Sequence, residues 1–140
     1  MTETTDCVFC EIVAGRSPAS VPFEDELVVC VMDVHPVNPG HLLVIPKRHV
    51  TGLDGLGEET GAQLFRIGMR MQRAIRASGL PCEGINFLLA DGESAGQDVS
   101  HVHLHVVPRL SSDRFRISSA ITRPTRDELD RAAAAIRAAC

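Results

Sequence analysis

Tryptophan and tyrosine are absent from the 140-residue chain, and lysine occurs once, at Lys47, against thirteen arginines. The first absence leaves the protein little near-ultraviolet absorbance of its own; the second carries no functional reading. No window approaches the run of about 18 apolar residues that crosses a bilayer. Met1 to Asp6 carries acids where a secretory leader carries base. The expectation is a soluble, cytoplasmic protein without a membrane partner. Excess positive charge is missing too. The net charge of −4 argues against a non-specific nucleic-acid binder, which needs a basic face to release counterions. Any anion bound here must meet a locally built site.

Repeats, low-complexity linkers and shifts in composition are also missing, so residues 1–140 are read as a single domain. Its 44% hydrophobic and 23% charged residues are an ordinary globular mixture, and the length suffices for a core without staples. The cysteines cannot all pair: Cys7, Cys10, Cys30, Cys82 and Cys140 are five, an odd number, which disfavours a disulfide framework. The close pair Cys7 and Cys10 points instead to metal or redox chemistry.

What is present reads as two long-looped antiparallel hairpins and two helices. Leu27–Met32 and Leu42–Ile45 are strand-like and separated by a turn region with Pro36, Pro39 and Gly40. Ile85–Leu89 and His101–Val107 form a second pair around the glycine-bearing turn 91–97, and Val21–Glu24 suits a short edge strand. Glu59–Ser78 repeats apolar residues at helical spacing, through Leu64, Gly68, Met71 and Ile75, with Gly79 where a left-handed cap belongs. Pro124 followed by Thr125–Ala139 places acids early and arginine late, as a second helix does. The fold class is α+β with a mostly antiparallel sheet.

The most informative segment is His101-Val102-His103-Leu104-His105-Val106-Val107. In a strand, alternation turns the three histidines to one face, roughly 6.5–7 Å apart, and Val102, Leu104 and Val106 to the other. The amphipathic helix is expected to cover the apolar face, leaving the imidazoles to line a surface groove. Three readings follow: a surface strand that happens to carry histidines, a metal chelate, or phosphoryl chemistry. In the last, one imidazole attacks and its neighbours donate hydrogen bonds to phosphoryl oxygens.

The pattern His-x-His-x-His followed by two apolar residues resembles the signature of the histidine triad superfamily of nucleotide-binding hydrolases and transferases. Cys7-Val-Phe-Cys-Glu-Ile-Val-Ala-Gly, the block from Asp33 to His49 and Gly96-Gln97 resemble further family blocks, in order. Together they span nearly residues 7–109. The likeness is to bacterial, zinc-binding members that carry the paired cysteines, near the Hint branch.

The resemblance implies a five-stranded antiparallel sheet with one long helix and a C-terminal helix, paired in a homodimer into a ten-stranded sheet. It implies that His103 attacks the α-phosphorus of a purine nucleotide conjugate and forms a nucleotidyl-histidine that water hydrolyses. His105 and His41 then bond the phosphoryl oxygens and Gln97 orients the scissile group, with no metal needed for the chemical step. Asp33 matches the family acid that bonds the ribose hydroxyls, and Phe9 and Val34 match positions that sandwich the base. Ordinary core packing is the other reading of those two apolar residues. Ala90 and Asp98 depart from the Hint branch, which has polar groups there, and an acid at Asp98 facing the groove would repel phosphate.

For Cys7 and Cys10, the resemblance implies a structural zinc site completed by His49 and His101. Redox exchange is the competing reading, although no strand-helix-strand context surrounds Cys7. Cys30, Cys82 and Cys140 read as structural or incidental, and His35 as a solvent-facing loop residue. The implied activity is a nucleotide hydrolase or transferase that cleaves a nucleoside monophosphate from a phosphoramidate-type leaving group. The alternatives are a dinucleoside polyphosphate hydrolase of the fragile-histidine-triad type and a largely non-catalytic nucleotide-binding or interaction module.

Overall fold

A computed structural model describes residues 6–140. The reading of the first five residues as free of a leader lies outside the described residues. Five strands, β1 (Phe23–Glu24), β2 (Val28–Met32), β3 (Leu42–Pro46), β4 (Gly84–Leu88) and β5 (Leu104–Arg109), build one antiparallel sheet in the order β1-β2-β3-β5-β4. Among the described residues three α-helices accompany it: α1 (Val8–Val13), α2 (Glu58–Ala77) and α3 (Arg126–Ala139). Among the described residues no helix is long and apolar enough to cross a membrane.

Both hairpins form. β2 pairs with β3 from Val28 opposite Pro46 to Met32 opposite Leu42, and β4 with β5 from Gly84 opposite Arg109 to Leu88 opposite His105. They join through β3 and β5, where Leu43 faces His105. Alternation then sorts the side chains. Val28, Cys30, Leu42, Val44, Leu104 and Val106 bury against Leu64, Ile67, Met71 and Ile75 of α2. Val29, Val31, Leu43 and Ile45 pack on the opposite face with Cys7, Phe9 and Cys10.

Helix α2 lies where the apolar spacing predicts it and ends at Gly79, whose φ is +88°. It approaches the sheet closely at Gly68, where a Cβ would stand 3.0 Å from Phe87 Cε2. Helix α1 escapes the sequence reading because six residues are too few for a helical repeat to show. Its cap is the thiol of Cys7, which accepts from the Cys10 N–H at 3.4 Å. Helix α3 begins at a Thr125 cap, and none of its residues is buried.

One strand boundary differs from expectation. β5 starts at Leu104, not at His101. Continuing the register would set Val102 opposite Pro46, which has no N–H for the ladder. The Val102 N–H bonds to the Val50 carbonyl at 2.8 Å instead, so His101–His103 run alongside the sheet without joining it.

Past β5, Asp113 gathers Arg109 Nε and Nη2 at 2.9 and 2.8 Å, the Leu110 N–H at 2.9 Å and Asn38 Nδ2 at 2.9 Å. Asn38 also donates to the Pro108 carbonyl at 2.8 Å, which fastens the loop between β2 and β3 to the end of β5. The Arg109 guanidinium above all holds the Asp113 carboxyl well below the usual carboxylate range. An unfolded Asp titrates near about 3.9, so this stabilisation is complete above that pH and is lost as pH falls toward the folded value. Asp113→Asn should therefore melt below wild type at neutral pH, with the gap closing steadily under about pH 4. A gap independent of pH would show that the charge of Asp113 is irrelevant.

Candidate functional site

The first face of the site is a row of imidazoles. Alternation on β5 turns His105 to the α1 side of the sheet, His103 precedes it there, and His41 enters from the residue before β3. Ring centroids lie 4.9 Å apart for His103 and His105 and 5.2 Å for His41 and His105. The row is more sunken than a surface groove: His41 and His103 are each 4% exposed. Phe9, whose ring centroid lies 5.1 Å from that of His103 and 5.7 Å from that of His101, covers part of the row.

Backbone groups fix which nitrogen of each ring carries its proton. A carbonyl oxygen only accepts, so His101 Nε2 donates to the Pro46 carbonyl at 2.7 Å and His103 Nδ1 donates to the His101 carbonyl at 2.8 Å. In the neutral rings, His101 Nδ1 and His103 Nε2 are then the nitrogens that carry the lone pair. A backbone N–H only donates, and that of Val37 meets His41 Nδ1 at 3.0 Å. The neutral His41 ring then carries its proton on Nε2, which donates to His105 Nδ1 at 2.9 Å. His105 is left with its N–H on Nε2. The row thus presents a lone pair at His103 next to a donor at His105.

Burial lowers the pKa of His41 against the pull of Asp33, and burial, with the neighbouring His103 and His41 rings, lowers that of His105. Asp33 accepts the His35 N–H at 2.8 Å, and its other oxygen lies 3.3 Å from His41 Nε2 and 3.8 Å from His105 Nδ1. These separations alone would suit a metal ion. The tautomers do not, because Val37 occupies one nitrogen of His41 and the proton the other. A metal there would require an imidazolate or the loss of the Val37 bond.

The remaining candidates divide. Val34 is 84% exposed beside Asp33, open to a ligand. Phe9 is 6% exposed, with its ring against His101 and His103. Gln97 spends both amide hydrogens on the Thr51 and Val99 carbonyls, at 2.8 and 3.0 Å, and its oxygen accepts the Gly92 N–H at 2.8 Å. These bonds tie it to the 92–97 loop and to the segments at Thr51 and Val99. Asp98 faces the site: its Oδ1 lies 3.4 Å from His103 Nε2. Its place in the sequence marks it as a departure and gives no sign of that direction.

The second cluster is Cys7, Cys10, His49 and His101. His101 Nδ1 lies 3.4 Å from Cys7 Sγ and 3.7 Å from Cys10 Sγ, while His49 Nδ1 lies 3.2 Å from both Cys10 Sγ and His101 Nδ1. A tetrahedral zinc with bonds of about 2.3 Å to sulfur and 2.0–2.1 Å to nitrogen sets its ligands about 3.3–3.8 Å apart, close to the separations of 3.2–3.7 Å found here. The bond from His101 Nε2 to the Pro46 carbonyl is the outer-sphere partner that orients a ligating imidazole. The four residues could therefore hold a metal ion.

The HIT domain matches residues 14–112. The chain belongs to the HIT domain family. Family members are nucleotide-binding hydrolases and transferases. An HIT-like protein of Mycobacterium tuberculosis is 39% identical over 82% of this chain and 79% of its own length. The adenylylsulfatase HINT3 of Arabidopsis thaliana is 32% identical over 87% of this chain and 61% of its own length. Among solved structures, a zinc-bound histidine triad family protein from Mycobacterium smegmatis is 42% identical, with a TM-score of 0.75 over 96% of this chain and 98% of that one. The HIT fold and its five-stranded antiparallel sheet are thereby shared.

The tautomer order has a direct spectroscopic consequence. Long-range proton–nitrogen correlation at neutral pH should show His103 protonated at Nδ1, and His41 and His105 at Nε2. The latter two should stay neutral below the pH of about 6.5 at which a free imidazole is half protonated. His103 found with its proton on Nε2 would contradict the assignment.

Proposed function

We propose that this HIT protein cleaves a nucleoside 5′-monophosphate from a phosphorus-linked amine through a nucleotidyl-His103 intermediate. The observation that carries the reading is the backbone bond at His103 Nδ1, which leaves Nε2 of the neutral ring as a lone pair, beside a His105 ring that His41 sets to present its Nε2–H. Neutral imidazole is a good nucleophile. The His101 carbonyl that accepts from Nδ1 at 2.8 Å also stabilises the positive charge that ring gains on bonding phosphorus. His105 meets the phosphoryl oxygens, and His41 holds His105 in the donating tautomer.

Asp33 and the exposed Val34 lie at the other end of the row and suit the ribose and base of a purine nucleotide. Gln97 acts at one remove, by fixing the loop that carries Asp98. The adenylylsulfatase name of the Arabidopsis relative supports chemistry at the phosphorus of an adenylyl group. Zinc held by Cys7, Cys10, His49 and His101 is assigned a structural role. The set is closed at four ligands and ties α1 to the segment before β5, as structural zinc sites do; the chemical step is assigned to the imidazoles. Among the described residues strand β4 pairs only with β5, and its outer edge is the place where a second copy extends the sheet to ten strands.

Incubation with adenosine 5′-phosphoramidate should release AMP, and His103→Ala should lose that release by about 10³-fold or more. The same preparations should contain zinc, absent from Cys10→Ser, whose melting temperature should fall. They should also scatter light as a dimer. AMP release at the wild-type rate by His103→Ala would overturn the nucleophile. Wild type that binds nucleotide without turning it over would favour the non-catalytic binding module.

A further inference from the structure

Asp98 stands at the end of the histidine row opposite Asp33. Its Oδ1 lies 3.4 Å from His103 Nε2, and its side chain is 77% exposed. In neutral His103 the proton is on Nδ1, so no hydrogen lies between the carboxylate and Nε2. A phosphorus attacked by that nitrogen must bring its oxygens and its departing group within a few ångströms of a negative charge. Asp98 also lines a cleft of about 400 Å³ with Asp6, Val8, His49 and Ser100. Two carboxylates border this cleft and, among the described residues, no lysine or arginine does.

We infer that Asp98 is a specificity-determining residue that selects the leaving group by charge, and that a neutral or cationic amine departs into this cleft while phosphate, polyphosphate and sulfate are disfavoured. The inference rests on the nucleotidyl-transfer reading above. In that step His103 Nε2 bonds to the α-phosphorus as the P–N bond breaks. The amine nitrogen keeps the electron pair and takes a proton from water at the exposed rim. Hydroxide or a second water then attacks phosphorus, returns the lone pair to Nε2 and yields the nucleoside monophosphate. An amine that leaves protonated is attracted by Asp98, whereas a leaving phosphate carries like charge past it. The same carboxylate speeds departure of the product, whose phosphate has a second ionisation near about pH 6 and carries more charge than the substrate's α-phosphoryl group. At about 4 Å in water, one such charge pair changes an equilibrium by about fivefold.

The test compares wild type, Asp98→Asn and Asp98→Ser on adenosine 5′-phosphoramidate and on diadenosine tetraphosphate, with AMP affinity measured by calorimetry. Removing the charge should lower the ratio of kcat/KM values, phosphoramidate over tetraphosphate, by about fivefold or more, and should tighten AMP binding by a similar factor. An unchanged ratio with unchanged AMP affinity would overturn the role of Asp98 and leave the hydrolase reading standing. An equal loss on both substrates in both variants would mark Asp98 as merely structural and overturn the inference as well. Turnover of neither substrate by wild type would overturn the hydrolase reading and this inference with it.

Discussion

The position of the proton on each imidazole is the constraint on which the site depends, and it is set by the backbone. One carbonyl at Pro46 orients His101, the carbonyl of His101 orients His103, and one N–H at Val37 orients His41 and through it His105. Each of these groups can play only one part in a hydrogen bond, so the tautomers follow without choice. A side-chain partner able to flip would not impose the same order. This gives a reason for the late start of β5. With His101–His103 inside the ladder, the His101 carbonyl would be turned toward a neighbouring strand and unavailable to the His103 ring.

His101 joins two sites that would otherwise be independent. Its Nδ1 belongs to the cysteine and histidine cluster, its Nε2 to Pro46 and its carbonyl to His103. A metal held by that cluster would immobilise the residue whose main chain aims the nucleophile. Phe9 reinforces the link, since its ring touches both His101 and His103 and it sits in α1 between the two cysteines. The short helix thus fastens to the triad from below as well as through its thiols.

Much of this was legible in the sequence. Strand alternation assigned Leu104 and Val106 to the α2 side, helical spacing placed Leu64, Met71 and Ile75 in the core, and the family blocks brought His41, His103 and His105 together. The details that escaped depend on contacts between distant segments. The start of β5 is decided by Val50 and Pro46, some fifty residues upstream. The inward amide of Gln97 is decided by Thr51, and the burial of Phe9 by a helix too short to announce itself. Local pattern describes a segment's own face and period, and long-range pairing decides where each face ends.

The lopsided electrostatics follow from the same design. The row that would bind a phosphoryl group offers N–H dipoles on neutral rings, kept neutral by burial, and the charged residues that frame it, Asp33 and Asp98, are acids. Protonated imidazoles around the nucleophile would bind phosphate well in substrate, transition state and product alike, and so would favour none of them for the reaction. Neutral donors discriminate, because their dipoles gain most as charge spreads over the phosphoryl oxygens in the transition state. A cation at the same place would bind the dianionic product at least as strongly as the transition state. A protein of net charge −4 can therefore hold an anion briefly, by geometry, and lose it by charge.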